Sequence, residues 1–110
     1  MAENNTTKRA LGMLGLAMKA GKVVIGTEQV IAFLQKKKLK LVLVSGNASD
    51  GTKKKMLHKC EFYKIRREEL DIDTDELGRL LGKTYTPAVV GITDENFSRA
   101  IIKIIDGDNI

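Results

Sequence analysis

"LKLVLVS", residues 39–45, decides the architecture of this chain. After Lys40 it runs Leu41, Val42, Leu43 and Val44 with no polar interruption, a continuous apolar stretch of strand length. Strict alternation would mark a strand with one wet face; a continuous run predicts a strand covered on both. Such a strand needs helices above and below it, and the flanks supply them. Upstream, Thr27 to Lys37 reads as a helix with Val30, Ile31, Phe33 and Leu34 as its apolar stripe. Downstream, "SDGTKKKMLHKC" offers Ser49 or Asp50 as the cap of a basic helix.

The same alternation continues outward. Residues 6–20 read as a first helix and Lys22 to Ile25 as a short strand. Phe62 to Ile65 read as a third strand, and Asp73 or Thr74 caps a helix running to Gly82. "AVVGIT" (88–93) is the fourth strand, preceded by Pro87 at a position strands tolerate. Thr93 or Asp94 opens a terminal helix whose Phe97, Ile101, Ile104 and Ile105 face inward. Strands separated by helices of this length predict an α/β fold, a three-layer α/β/α sandwich. With 110 residues the chain fits one domain, 1–110, built on one core, with residues 1–5 expected to be a flexible lead.

Residues 8–20, "KRALGMLGLAMKA", mimic a signal peptide in having a basic pair before an apolar stretch. Lys19 interrupts the run, and Leu11, Leu14 and Met18 recur at the spacing of an amphipathic core helix. No apolar run approaches the roughly 18 residues that a membrane span requires. The protein is expected to be soluble. Its single cysteine, Cys60, excludes an internal disulfide and is in keeping with a cytoplasmic location.

Nineteen Lys and Arg against fourteen Asp and Glu give a net charge of +5. The excess is uneven. Lys36, Lys37, Lys38 and Lys40 form one cluster; Lys53, Lys54, Lys55, His58 and Lys59 form another. The acids gather around Glu68 to Glu76 and at the C-terminal end. This segregation fits a positive face for a polyanion, and equally a solvated surface with lysines near helix C-termini, where the dipole favours them.

Nothing in the chain reads as catalytic. "GNASDGTK" (46–53) carries two glycines after a strand, but Thr52 precedes Lys53, the reverse of the order a phosphate loop needs. "GRLLGKT" (78–84) has one residue too few between its glycines and follows a helix. His58 and Cys60 have no further Cys or His to complete a metal site. Two residues apart on a helix, they point in different directions. Cys60 reads as a small buried residue near a helix end and His58 as a surface residue. The acids of 68–76 crowd a loop and a helix start. No catalytic residue, metal or cofactor is expected.

"VVIGTEQVI" (23–31) is the stretch where binding chemistry concentrates. Three β-branched residues lead through Gly26 into a helix whose first turn is Thr27, Glu28 and Gln29. Amides at a helix start lack partners and carry partial positive charge, which attracts phosphate. Thr27 is placed to cap the helix, while Glu28 and Gln29 can reach base edges. Read locally, the same residues also fit a plain turn, a cap and two water-facing side chains.

The order of "LGLAMKAGKVVIG", "KLVLVSGNAS", "LGRLLGK" and "VVGITDENF" resembles the ribosomal protein L7Ae/L30e family of kink-turn RNA binders, particularly its bacterial YlxQ-like branch. The resemblance covers nearly the whole chain. It implies a sandwich with a four-stranded mixed sheet and a non-catalytic, ribosome- or ribonucleoprotein-associated role. It also implies that Gly26, Thr27, Glu28 and Gln29 enter the groove of a kink-turn and read its sheared G·A pairs. The loop Lys83, Thr84, Tyr85 and Thr86 would cover the base thrown out of the bend, with Tyr85 as a stacking group or a partly buried loop anchor. Lys22 and Lys36 to Lys38 are expected to bracket the same end and hold phosphates. Archaeal members usually carry Asn-Glu where this chain has Glu28-Gln29, and lysine where it has Ala32.

The expected partner is therefore structured RNA, kink-turn or ribosomal, with ribosomal or ribonucleoprotein neighbours and no membrane, the chain itself being a monomer. The competing expectation is a protein-interaction adaptor of the same fold that offers its Lys53–Lys59 helix to an acidic partner.

Overall fold

A computed structural model describes residues 5–107. In it all five residues of Leu41–Ser45 are buried strand, as the apolar run requires. Leu41 and Leu43 point into one core, Val42 and Val44 into another. The element order is α1 (Asn5–Lys19), β1 (Val23–Ile25), α2 (Thr27–Gln35), β2 (Leu41–Ser45), α3 (Asp50–Tyr63), β3 (Arg67–Leu70), α4 (Thr74–Leu80), β4 (Val89–Ile92) and α5 (Glu95–Ile105). The strands lie in the order β1-β4-β2-β3. Here β4 is antiparallel to both its neighbours and β2 is parallel to β3, so the sheet is mixed.

The first core joins α1, α4 and α5 to the sheet through Leu14, Leu77, Leu81 and Ile101. The second joins α2 and α3 through Val30, Leu34, Met56 and Cys60. This is the three-layer sandwich. Each fully buried leucine contributes roughly 1.5–3 kcal/mol, whereas an exposed ion pair contributes about 0–1. The two cores, not the charged rim, therefore hold the fold. The expected lead at residues 1–5 lies outside the described residues apart from Asn5, whose backbone opens α1.

Caps settle the alternatives the sequence left open. Ser49, Asp73 and Asp94 each accept a bond from the amide three residues on, at 3.1, 2.8 and 2.8 Å. Among the described residues no helix is long and apolar enough to cross a membrane.

The third strand is where the sequence expectation fails. Phe62 and Tyr63 are the last turn of α3, because Met56, Cys60 and Tyr63 extend its inward stripe. Lys64, at φ 59°, turns the chain back, with the Ile65 amide bonded to the Cys60 carbonyl at 2.9 Å. The strand comes later, as Arg67–Leu70 on the edge of the sheet. Glu68 and Glu69 accordingly sit on a strand rather than in a loop.

Candidate nucleic-acid interface

Gly26 joins β1 to α2 at φ 100° and ψ 149°, a conformation essentially reserved for glycine. Its amide is held by the Val89 carbonyl at 2.8 Å, which fixes the junction against the start of β4. The Val30 amide takes the Gly26 carbonyl at 2.9 Å, so the helix ladder begins there. Gly26, not Thr27, is the cap residue, and no side chain caps the helix. The expected Thr27 cap is corrected because glycine already occupies the non-helical position and Thr27 is the first helical residue. Among the described residues, no protein group accepts from the amides of Thr27, Glu28 and Gln29. Three oriented donors at the positive end of a helix dipole thus face outward, flanked by the exposed side chains of Glu28 and Gln29.

The loop before β4 is brought to the same end of the sheet. Gly82, at φ 71°, closes α4, and the Lys83 amide returns to the Gly78 carbonyl at 2.8 Å. Gly78 is buried, and a Cβ there would stand 2.7 Å from the Tyr85 carbonyl oxygen and 3.4 Å from Pro87 Cδ. The missing side chain lets the loop lie directly on α4. Pro87 is buried, while Thr84, Tyr85 and Thr86 are exposed. Tyr85 is 53% exposed, so its ring is available for stacking rather than spent as an anchor. Three residues beyond Thr86, Val89 holds Gly26. Helix tip and loop are neighbours.

Asn47 organises the third wall of this end, and sequence reasoning passed over it. Its Oδ1 accepts from the Ser45 hydroxyl at 2.6 Å and from the Thr74 amide at 3.0 Å, tying the end of β2 to the start of α4. The available signal was its place two residues after a fully buried strand, where a short polar side chain satisfies loop amides.

With this geometry in place, comparison with known proteins decides the family. A model of the "Ribosomal protein L7Ae/L30e/S12e/Gadd45 family" matches residues 8–102. The chain belongs to this family. Among L7Ae/L30e relatives, "RNA-binding protein YlxQ" of Enterococcus faecium is 37% identical over 97% of this chain and 100% of its own length. The solved structure of a protein of unknown function from Bacillus halodurans C is 38% identical, with TM-score 0.81 over 88% of this chain and 96% of its own. The Giardia lamblia 15.5kD RNA binding protein shares the fold at 14% identity, with TM-score 0.77, covering 93% of this chain and 86% of its own.

The L7Ae/L30e sandwich separates residues that the sequence had grouped. Lys22 precedes β1, its carbonyl bonded to the Thr93 amide at 3.0 Å, whereas Gly26 follows β1 and sits at Val89. Lys36, Lys37 and Lys38 lie beyond the far end of α2, nine residues and about 13 Å from the tip. These lysines therefore do not bracket the Gly26 end; they occupy the opposite one. The physical reason is directional: β1 and α2 each carry the chain from one end of the sheet to the other.

The second basic cluster is partly neutralised. Lys53 pairs with Glu69 across α3 and β3 at 2.7 Å, and this bond holds the Glu69 carboxyl below its usual range. Arg66 bonds Asp106 at 2.5 and 3.1 Å and Glu68 at 2.6 Å, raising the guanidinium pKa and lowering that of Asp106. Burial pushes the Cys60 thiol up to about 11 against the opposing pull of Arg67, so it stays a neutral core group at pH 7. His58 is exposed. Among the described residues no group of three His, Cys, Asp or Glu is arranged to hold a metal.

Proposed function

We propose that this protein is a non-catalytic RNA-binding protein, acting as a single domain, that recognises kink-turn or similarly bent RNA in a ribosomal or other ribonucleoprotein setting. The observation that carries this is the α2 start. Three unpartnered amides and two exposed hydrogen-bonding side chains project from the junction that Val89 holds, and the exposed Tyr85 lies four residues before Val89. The amides take a phosphate, Glu28 accepts from guanine N–H groups, and Gln29 both donates and accepts. Tyr85 stacks on an unpaired base. Helical RNA hides its base edges in a narrow groove, so a rigid tip of this kind needs a distortion that opens them. Ala32, one turn after Glu28, presents only a methyl group, which leaves recognition resting on shape and on residues 28 and 29. The name of the YlxQ relatives supports RNA as the partner.

The test is titration of a kink-turn RNA against the same RNA with its G·A pairs replaced by Watson–Crick pairs. Glu28→Ala and Gln29→Ala should each weaken the kink-turn by about 1–3 kcal/mol, the cost of leaving a buried partner unsatisfied. Both should barely change the plain duplex. Equal losses on the two RNAs would remove base-edge reading from the account.

A further inference from the structure

At the end of the sandwich away from Gly26, Lys40 is shared by three adjoining hollows of about 360, 490 and 230 Å³. Towards α5 it faces Ser98, Arg99 and Lys103. Towards α2 it faces Phe33, Lys37 and Lys38, and towards α3 it faces Tyr63 and Ile65. Lys22 joins this end through its bond to Thr93, which lines the second hollow.

Among the described residues, Lys22, Lys36, Lys37, Lys38 and Lys40 make no ion pair. Carboxylates of this end are engaged: Glu95 holds Arg99 at 2.6 Å, and Asp94 caps α5. Arg66, beside the start of β2, engages Glu68 and Asp106, and Glu61 is exposed on α3. Ser98, 3% exposed, has a hydroxyl with no partner on the wall it shares with Lys40. Ammonium groups of one sign repel, and a polyanion laid along them relieves the repulsion.

An aromatic residue chooses the kind of polyanion. Phe62 is 75% exposed and stands edge-on to Tyr63, centroids 4.8 Å apart, and Tyr63 lines the hollow shared by Lys37 and Lys40. Duplex RNA keeps its bases stacked inside, whereas an unpaired base stacks readily on an exposed ring. Lysines tracking a backbone with an aromatic platform alongside are the recurring parts of a single-strand groove.

We propose that this end is a second RNA-binding surface. It takes a single-stranded RNA segment, with phosphates along Lys22, Lys38, Lys40 and Lys103 and a base stacked on Phe62. The protein then holds two RNA segments back to back, with α2 spanning the distance between them. The surface stands on its own lysines and does not depend on the reading of the Gly26 tip.

Fluorescence anisotropy with a labelled short oligouridine and the full chain tests this, using sodium poly-L-glutamate as competitor. The triple variant Lys22→Glu, Lys38→Glu, Lys40→Glu should lose at least about tenfold in affinity and lower the slope of log affinity against log salt by about two. Lys37 is spared because of its positive φ. Phe62→Ala should lose at least about fivefold without changing that slope. The same variants should bind a kink-turn RNA lacking overhangs within about twofold of the parent protein, as expected for surfaces at opposite ends. Should circular dichroism show the triple variant unfolded, Lys38→Gln, Lys40→Gln carries the test with a slope change near 1.4. Unchanged oligouridine binding in these variants overturns the proposal. So does equal loss in Glu28→Ala, Gln29→Ala, or poly-L-glutamate binding that ignores Phe62→Ala, the mark of an acidic protein site.

Discussion

Replacing Gly26 by alanine isolates the junction on which the RNA reading depends. A Cβ at this position meets nothing within 4 Å, so the substitution creates no clash. Its whole cost is conformational. An L-residue held at φ 100° and ψ 149° is strained by roughly 1–3 kcal/mol, offset by about 0.4–1 kcal/mol from the stiffer unfolded chain. The expected net loss is about 1–2 kcal/mol, which for a chain of 110 residues lowers Tm by about 4–8 °C. Gly12→Ala supplies the contrast. It too meets nothing within 4 Å, but it lies inside α1 at an ordinary helical φ. There alanine should stabilise by about 0.5–1 kcal/mol through helix propensity and unfolded-state entropy. Thermal and urea unfolding of the two variants side by side give the assay. A D-alanine at position 26, introduced by semisynthesis, should restore the lost stability because it prefers positive φ. If Gly26→Ala melts at or above the parent temperature, as Gly12→Ala should, the junction is not held at positive φ and the reasoning fails.

Gly78→Ala drives a methyl group to within 2.7 Å of the Tyr85 carbonyl, so the loop must lift from α4. A loss of about 1–3 kcal/mol and faster tryptic cleavage at Lys83 are expected in a melt and a limited-proteolysis time course. Asn47→Ala strands the hydroxyl of the buried Ser45 and frees the Thr74 amide, and should cost about 1–3 kcal/mol in urea unfolding. Alkaline stability reports on Cys60. Its thiol ionises near 9.0 when unfolded and near 11 when folded, so above pH 9 the unfolded chain holds fewer protons and stability falls by up to about 1.4 kcal/mol per pH unit. Cys60→Ala should lack that component, and identical pH profiles for the two proteins would contradict the burial of the thiol. At the acid end, Asp106 and Glu69 have lowered pKa values, so their contribution is present above the ordinary values of 3.8 and 4.5 and lost as pH falls below them. Asp106→Asn should flatten that acid limb.

Those elements with an apolar signature were legible in advance. The run of Leu41 to Val44 announced a doubly covered strand, and Ser49, Asp73 and Asp94 stood in the positions that cap helices. Arg67–Leu70 was illegible because an edge strand needs no apolar alternation: its pairing comes from backbone bonds to β2, and charges at Arg67, Glu68 and Glu69 suit an exposed edge. Phe62 to Ile65 misled for the complementary reason. Aromatic and β-branched residues favour strands, yet the inward stripe of α3 carried the helix through Tyr63 before Lys64 stopped it. At the candidate site the strand–glycine–helix junction was readable, but its cap fell to Gly26 rather than Thr27 because the glycine already takes the non-helical position. The error over Lys22 and Lys36–Lys38 was geometric. Their closeness to Gly26 in sequence concealed that β1 and α2 each cross the molecule.

Amide chemical-shift mapping of the isotope-labelled protein titrated with a kink-turn RNA tests the central claim most directly. The largest changes should fall on Thr27, Glu28 and Gln29 and on the loop from Lys83 to Thr86, with Lys22 and Lys36–Lys40 nearly unmoved at saturation. A map centred on the distal lysines or on the Lys53–Lys59 helix, with the start of α2 silent, would contradict it.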